Sequence, residues 1–242
     1  MRWGVRVVGA AIAAAVVWAA SGELAWPARA FLVLLLAVLP PLSVAQADAV
    51  GAGAAVLPRI PVYLSSAATM WVLALLALGA GLGGSFAPNE LGLVGMPVVA
   101  AAGWTAGLVA GAVALAAAWR ALGLRESPML AWLLPRTAVE KALFVGLSFS
   151  AGVGEELVFR GFLVPALEAA TGATWPAVGL SAGVFGVVHA YQNPAGVVRA
   201  GLLGLLFTVP LVVTGSLLPS ILAHFLYDVV AGLWLADWLL RR

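Results

Sequence analysis

Apolar residues run along the chain in long stretches separated by short Gly, Pro and polar breaks. The stretches predict eight helices, at about residues 5–20, 28–45, 61–82, 91–118, 142–167, 175–191, 197–213 and 217–240. The breaks are Ser21-Gly22-Glu23, Pro58-Arg59, Gly83-Gly84-Ser85, Thr171-Gly172, Asn193-Pro194 and Thr214-Gly215-Ser216. One span needs ~20 residues, so these stretches have the length of membrane helices. They do not alternate as the strands of a membrane barrel must. No long linker or low-complexity tract divides the chain. The expectation is an all-α fold: one polytopic membrane helix bundle of about eight transmembrane helices, filling residues 1–242.

Composition agrees. Of 242 residues, 64% are hydrophobic and 9% are charged. Soluble domains carry ~25% charge, and disordered chains combine low hydrophobicity with high charge, so both classes are excluded. The chain has no cysteine, which removes disulfides, thiolate metal ligands and a cysteine nucleophile. A net charge of +2 without a basic run makes nucleic acid a poor partner. The lipid bilayer is the expected surrounding.

The basic residues orient the bundle. Arg2, Arg6, Arg59, Arg120, Arg125, Arg136, Lys141, Arg199, Arg241 and Arg242 all fall on one side of an eight-helix map. Arg29 falls on the other side, and Arg160 falls inside a span. The positive-inside rule then puts both termini in the cytoplasm, and the Ala/Gly-rich composition suggests a bacterial cell membrane. Arg2 and Arg6 before an apolar stretch also fit a cleavable signal peptide, although a first span can set topology without cleavage.

The charges inside spans are the chemical signal. The fifth stretch carries Glu155, Glu156 and Arg160. An ionised group at mid-bilayer costs ~2.5–3.5 kcal/mol on insertion scales, so three together require mutual compensation or water. Glu156 and Arg160 are one helical turn apart and can pair. Glu155 is rotated by about 100° and has no such partner, which leaves its carboxylate available as a general base. A plainer alternative starts a helix after Gly154, with both glutamates capping its N-terminus. The only two histidines are His189 and His224. Phe185 shares a helical face with His189, and Asp228 is placed to orient the His224 imidazole. Residue counts along straight helices put Glu155, His189 and His224 at different depths, so tilted or broken helices must bring them together.

These residues resemble a known family. Glu155-Glu156-Leu-Val-Phe-Arg160 matches the EExxxR motif of the CPBP intramembrane proteases, also called the CAAX-processing or ABI family. The eukaryotic type II CAAX prenyl endopeptidase is a member. Phe185-Gly-Val-Val-His189 matches the family's FxxxH motif, and His224-Phe-Leu-Tyr-Asp228 its HxxxN/D motif. The prenyl endopeptidase has Asn where this chain has Asp228. The resemblance covers about residues 135–235, helices 5–8, which would form the protease-like core behind N-terminal transmembrane helices in residues 1–134.

The resemblance implies an intramembrane endopeptidase that hydrolyses a membrane-associated protein or peptide. Glu155 and His189 would activate water, His224 and Asp228 would bind the oxyanion, and Glu156 and Arg160 would organise the site. The family is often called metalloprotease, and two histidines with a glutamate can hold zinc. Glu155, His189 and His224 are therefore the candidate metal ligands. Gly179-Leu-Ser181-Ala-Gly183 mimics a serine nucleophile elbow but lacks its strand-turn-helix context. A transporter or ion pathway is the alternative of a different class, because buried Glu, Arg and His also mark proton relays.

Overall fold

A computed structural model of the protein describes residues 2–51, 58–124, 126–236 and 238. Arg125, Arg241 and Arg242, counted above for orientation, lie outside the described residues. All regular structure among the described residues is helical. The order is α1 (Arg2–Ala20), α2 (residues 26–51), α3 (Arg59–Leu82), α4 (Val98–Ala121), short α5 (Pro128–Leu133), α6 (Ala138–Thr171), α7 (Thr174–Val188), α8 (Asn193–Thr214) and α9 (Leu218–Leu233). Two stretches are π-helical, Leu34–Val38 in α2 and Glu156–Leu163 in α6.

Five helices are long and apolar enough to cross a membrane: Trp26–Ala49, Arg59–Leu82, Val98–Ala121, Ala138–Thr171 and Ala190–Thr214. The apolar helices Arg6–Ala20, Thr174–Val188 and Leu218–Leu233 are shorter. At ~1.5 Å per residue, a 15-residue helix reaches about 22 Å, short of a ~30 Å hydrocarbon core. The expected eight stretches are thus helical, but Thr174–Val188 and Leu218–Leu233 do not have the length of an upright span. The protein is an integral membrane protein by these helices.

Two boundaries differ most from the sequence expectation. The fourth helix begins at Val98 after Pro97, not near 91. Gly92 adopts φ +71°, and the carbonyls of Gly92 and Val94 accept from Leu217 N (3.0 Å) and Ser216 Oγ (2.6 Å). Tertiary hydrogen bonds to the start of α9 therefore use backbone groups that a helix would have used. The last helix ends at Leu233, with Trp234 N still bonded back to Val230 O.

Helix α6 begins where its cap says it must. Thr137 Oγ1 accepts from Glu140 N (3.2 Å), and the Glu140 carboxylate accepts from Thr137 N (3.0 Å), a reciprocal capping box. The alternative of a helix starting after Gly154 is thereby corrected: Glu155 lies far inside α6. Glycines let neighbours approach this helix. A Cβ at Gly152 would lie 2.9 Å from Ile221 O and 3.0 Å from Phe225 N of α9. One at Gly154 would lie 2.9 Å from Met70 O of α3. Close backbone contact through small residues is how helices associate where no hydrophobic effect separates them from lipid. The largest core cluster, including Phe31, Leu35, Phe159, Phe162 and Phe185, surrounds the π-helical stretch of α6.

The N-terminal helix packs on α2 rather than standing alone. Arg6 pairs with Asp48 at 2.5 Å. Arg29, the basic residue on the unexpected side, donates from Nη2 to Trp18 O at 2.6 Å, and its guanidinium lies 4.2 Å from the Trp18 ring. It satisfies a carbonyl in the last turn of α1, a role cations fill well at a helix C-terminus.

Candidate active site

The π-helical stretch changes what α6 presents. Each such turn widens the helix and disturbs the regular hydrogen-bond ladder. The Phe159 carbonyl accepts from Ser181 Oγ at 2.6 Å, and Ser181 is 2% exposed. The serine of the nucleophile-elbow mimic is thus committed to a backbone carbonyl of α6. Every residue from Glu156 to Leu163 is buried, while Glu155, the residue before the stretch, keeps partial exposure.

Three helices deliver the motif side chains to one place. Glu155 Oε2 lies 3.9 Å from His189 Nε2 and 3.8 Å from His224 Nε2. His189 caps the end of α7, and His224 lies in the second turn of α9. The mismatch in depth from residue counting is closed by unequal helices. Helix α6 has 34 residues, whereas α7 and α9 have 15 and 16. Helices so different in length do not share one starting level, which the count assumed.

Each imidazole is held by its other nitrogen. His189 Nδ1 is 2.7 Å from Phe185 O, and its ring centroid is 4.6 Å from that of Phe185. A carbonyl only accepts, so Nδ1 carries a proton, and Nε2 faces Glu155. His224 Nδ1 is 2.7 Å from Glu156 Oε1. Asp228 approaches His224 at Nε2, 3.7 Å away, beyond hydrogen-bond range. The sequence expectation that Asp228 orients His224 is therefore corrected: Glu156 holds the ring, and Asp228 stands on its Nε2 side.

The same Glu156 oxygen faces Arg160 Nη1 at 3.1 Å. The pair is almost fully buried, Glu156 at 0% and Arg160 at 1% exposure. The contact has ion-pair distance without hydrogen-bond alignment: Arg160 Nη1 and Nη2 and Glu156 Oε2 all lack a hydrogen-bond partner. The guanidinium instead lies 4.3 Å from the Phe185 ring centroid, a desolvated cation–π contact. Phe185 thus touches Arg160 on one side and fixes His189 on the other. Glu155 and His189 are about equally exposed, and Asp228, at 32%, marks the open side.

The donors suit zinc chemically, but their spacing does not. Ligand atoms sharing one tetrahedral zinc at ~2.0–2.1 Å lie roughly 3.3 Å apart. Glu155 stands farther than that from both histidines, and among the described residues no His/Asp/Glu group is arranged to hold a metal ion. No step is assigned to a metal on Glu155, His189 and His224.

Sequence reasoning passed over a second polar group beside the site. Arg199 pairs with Glu126 and donates to Gln192, which in turn donates to Tyr191. The available signal was an arginine two residues into the seventh predicted stretch with no acidic partner in its own helix.

Residues 137–230 match the family model for type II CAAX prenyl endopeptidase Rce1-like proteins. No curated protein and no solved structure matches the chain.

Proposed function

From the premise that residues 137–230 form an Rce1-like domain, we propose that the protein is an intramembrane endopeptidase acting on a membrane-associated protein or peptide. The observation that carries this reading is the position of the Glu155 carboxylate between two Nε2 atoms, 3.8 and 3.9 Å away. Those gaps are too long for direct hydrogen bonds and suit a bridging water. With no cysteine in the chain and Ser181 bonded to Phe159 O, water is the available nucleophile.

The reaction follows from the donors. Glu155 takes a proton from the water while His189 Nε2 accepts the water's second hydrogen bond. The hydroxyl oxygen adds to the scissile carbonyl carbon, and the C=O electron pair moves to oxygen. His224, protonated at both nitrogens, donates Nδ1–H to Glu156 and Nε2–H to the oxyanion. Glu156 and Asp228 balance the charge of that imidazolium. The proton on Glu155 passes to the leaving nitrogen, the oxyanion's electron pair re-forms C=O as the C–N bond breaks, and the resulting carboxylic acid gives its proton to the freed amine, leaving a carboxylate and an ammonium. Arg160 and Glu156 act as positioning residues through His224 and Phe185.

The distribution of basic residues supports an orientation with both termini cytoplasmic, and the composition supports a bacterial cell membrane. The mechanism is tested with Glu155→Gln in the purified protein and a defined peptide. Cleavage should vanish with folding and membrane insertion intact. Full activity in that variant sinks the mechanism. A Glu155-dependent ion flux without proteolysis would favour the transporter reading.

A further inference from the structure

The reaction above leaves one buried cation unused. Arg199, in the second turn of α8, is 7% exposed. Its Nη1 forms an ion pair with Glu126, and its Nη2 donates to Gln192 Oε1 at 3.0 Å. Glu126 belongs to no helix; it lies in the connection between α4 and α5. Gln192 Nε2 donates to the Tyr191 hydroxyl at 3.1 Å. Tyr191 follows His189 by two residues, with ring centroids 5.9 Å apart. A guanidinium that already holds one carboxylate is therefore linked through Gln192 and Tyr191 to the surroundings of His189.

We propose that Arg199, tied through Gln192 and Tyr191 to the surroundings of His189, is a carboxylate-binding subsite for the substrate, which Glu126 fills in the free protein and a substrate carboxylate takes over. The proposal rests on the endopeptidase reading and names what that site selects. Three observations support it. A planar guanidinium, here oriented by the Gln192 carbonyl oxygen, is suited to carboxylates. The resident carboxylate comes from a connecting segment and not from a helix. Helix α5, which follows that segment, is held independently of it, by Arg59 Nε to Trp132 O (2.6 Å) and Tyr63 Oη to Leu133 O (2.5 Å). Selectivity follows from desolvation. A buried cation left alone is heavily penalised, so only a second anion can replace Glu126. The incoming group is either the substrate's terminal carboxylate or an acidic side chain near the cleaved bond.

The test uses the full chain in lipid nanodiscs and one acyl-anchored fluorogenic peptide in three forms. These end in a free carboxylate, in an amide, or in an amide with an added Glu after the cleaved bond. Two variants are compared with the parent: Glu126→Gln, and the charge-free pair Arg199→Met with Glu126→Leu, which avoids a lone buried charge. Glu126→Gln should lower KM for a carboxylate-bearing peptide and leave the plain amide unchanged. The double variant should raise KM for the carboxylate form about tenfold or more, with the plain amide changed by less than about twofold. Whichever carboxylate peptide responds identifies the source. Binding of the same peptides to Glu155→Gln protein separates the two readings. Carboxylate-selective binding that the double variant abolishes, without hydrolysis by the parent, sinks the endopeptidase reading and keeps the subsite. Equal effects of the variants on all three peptides, in KM and in binding, overturn the subsite.

Discussion

At the scale of single residues, Glu156 joins two jobs on one oxygen. Its Oε1 holds His224 Nδ1 at 2.7 Å and faces Arg160 Nη1 at 3.1 Å. Arg160 in turn rests on Phe185, whose carbonyl holds His189. The two histidines are therefore oriented through one buried acid–base pair. Replacing His224 by Ala should reduce kcat by ~10²–10³, the scale of a lost oxyanion donor, with KM little changed. His224→Asn should recover part of that loss by offering another N–H; steady-state rates on a defined peptide read both. Arg160→Lys keeps the charge but loses the flat face that lies on Phe185. It should fold, and it should lose at least about tenfold in kcat through misplaced imidazoles. Full activity in that variant would show that the guanidinium's shape has no positioning role.

At the scale of elements, the site depends on how closely α9 lies against α6. Gly152 sits where a single Cβ would press on the backbone of Ile221 and Phe225, one turn from His224. Backbone cannot yield as a flexible side chain can, so Gly152→Ala should push α9 outward by a fraction of an ångström to an ångström. Displacements of ~1 Å at a reacting centre cost about 10² in rate. Activity should fall by that order, while circular dichroism shows the helices intact. Gly179 in α7 has open space around its Cβ position, so Gly179→Ala serves as the matched control and should leave the rate unchanged. Equal rates in the two variants would mean that helix spacing does not set the geometry of the site.

At the scale of the whole molecule, the proposed orientation rests on the distribution of basic residues. Arg136 lies before α6, and Thr171 closes that helix at its opposite end. The absence of native cysteine makes labelling clean. With both termini cytoplasmic, Arg136→Cys should react with a membrane-impermeant maleimide only in inverted vesicles. Thr171→Cys should react in intact cells. The reverse pattern would invert the bundle and place the Arg199 subsite on the outer side.

Much of this was determined by sequence alone. Apolar run length and the scarcity of charge dictate an all-helical membrane protein, because the bilayer core satisfies no backbone group left outside a helix. Local spacing also identified the pairing of Glu156 with Arg160 and the contact of Phe185 with His189, since residues a turn apart on one helix must be neighbours. Contacts between helices were out of reach. That Glu156, and not Asp228, holds His224 depends on α9 approaching α6 at Gly152, and periodicity along one helix carries no information on that distance. The π-helical stretch was equally hidden. It is stabilised by partners such as Ser181, 22 residues away in sequence. The pairing of Glu126 with Arg199 spans 73 residues and joins a connecting segment to a helix interior. Only tertiary packing decides which buried charge finds which partner, because each must be neutralised by whatever group the fold brings within reach.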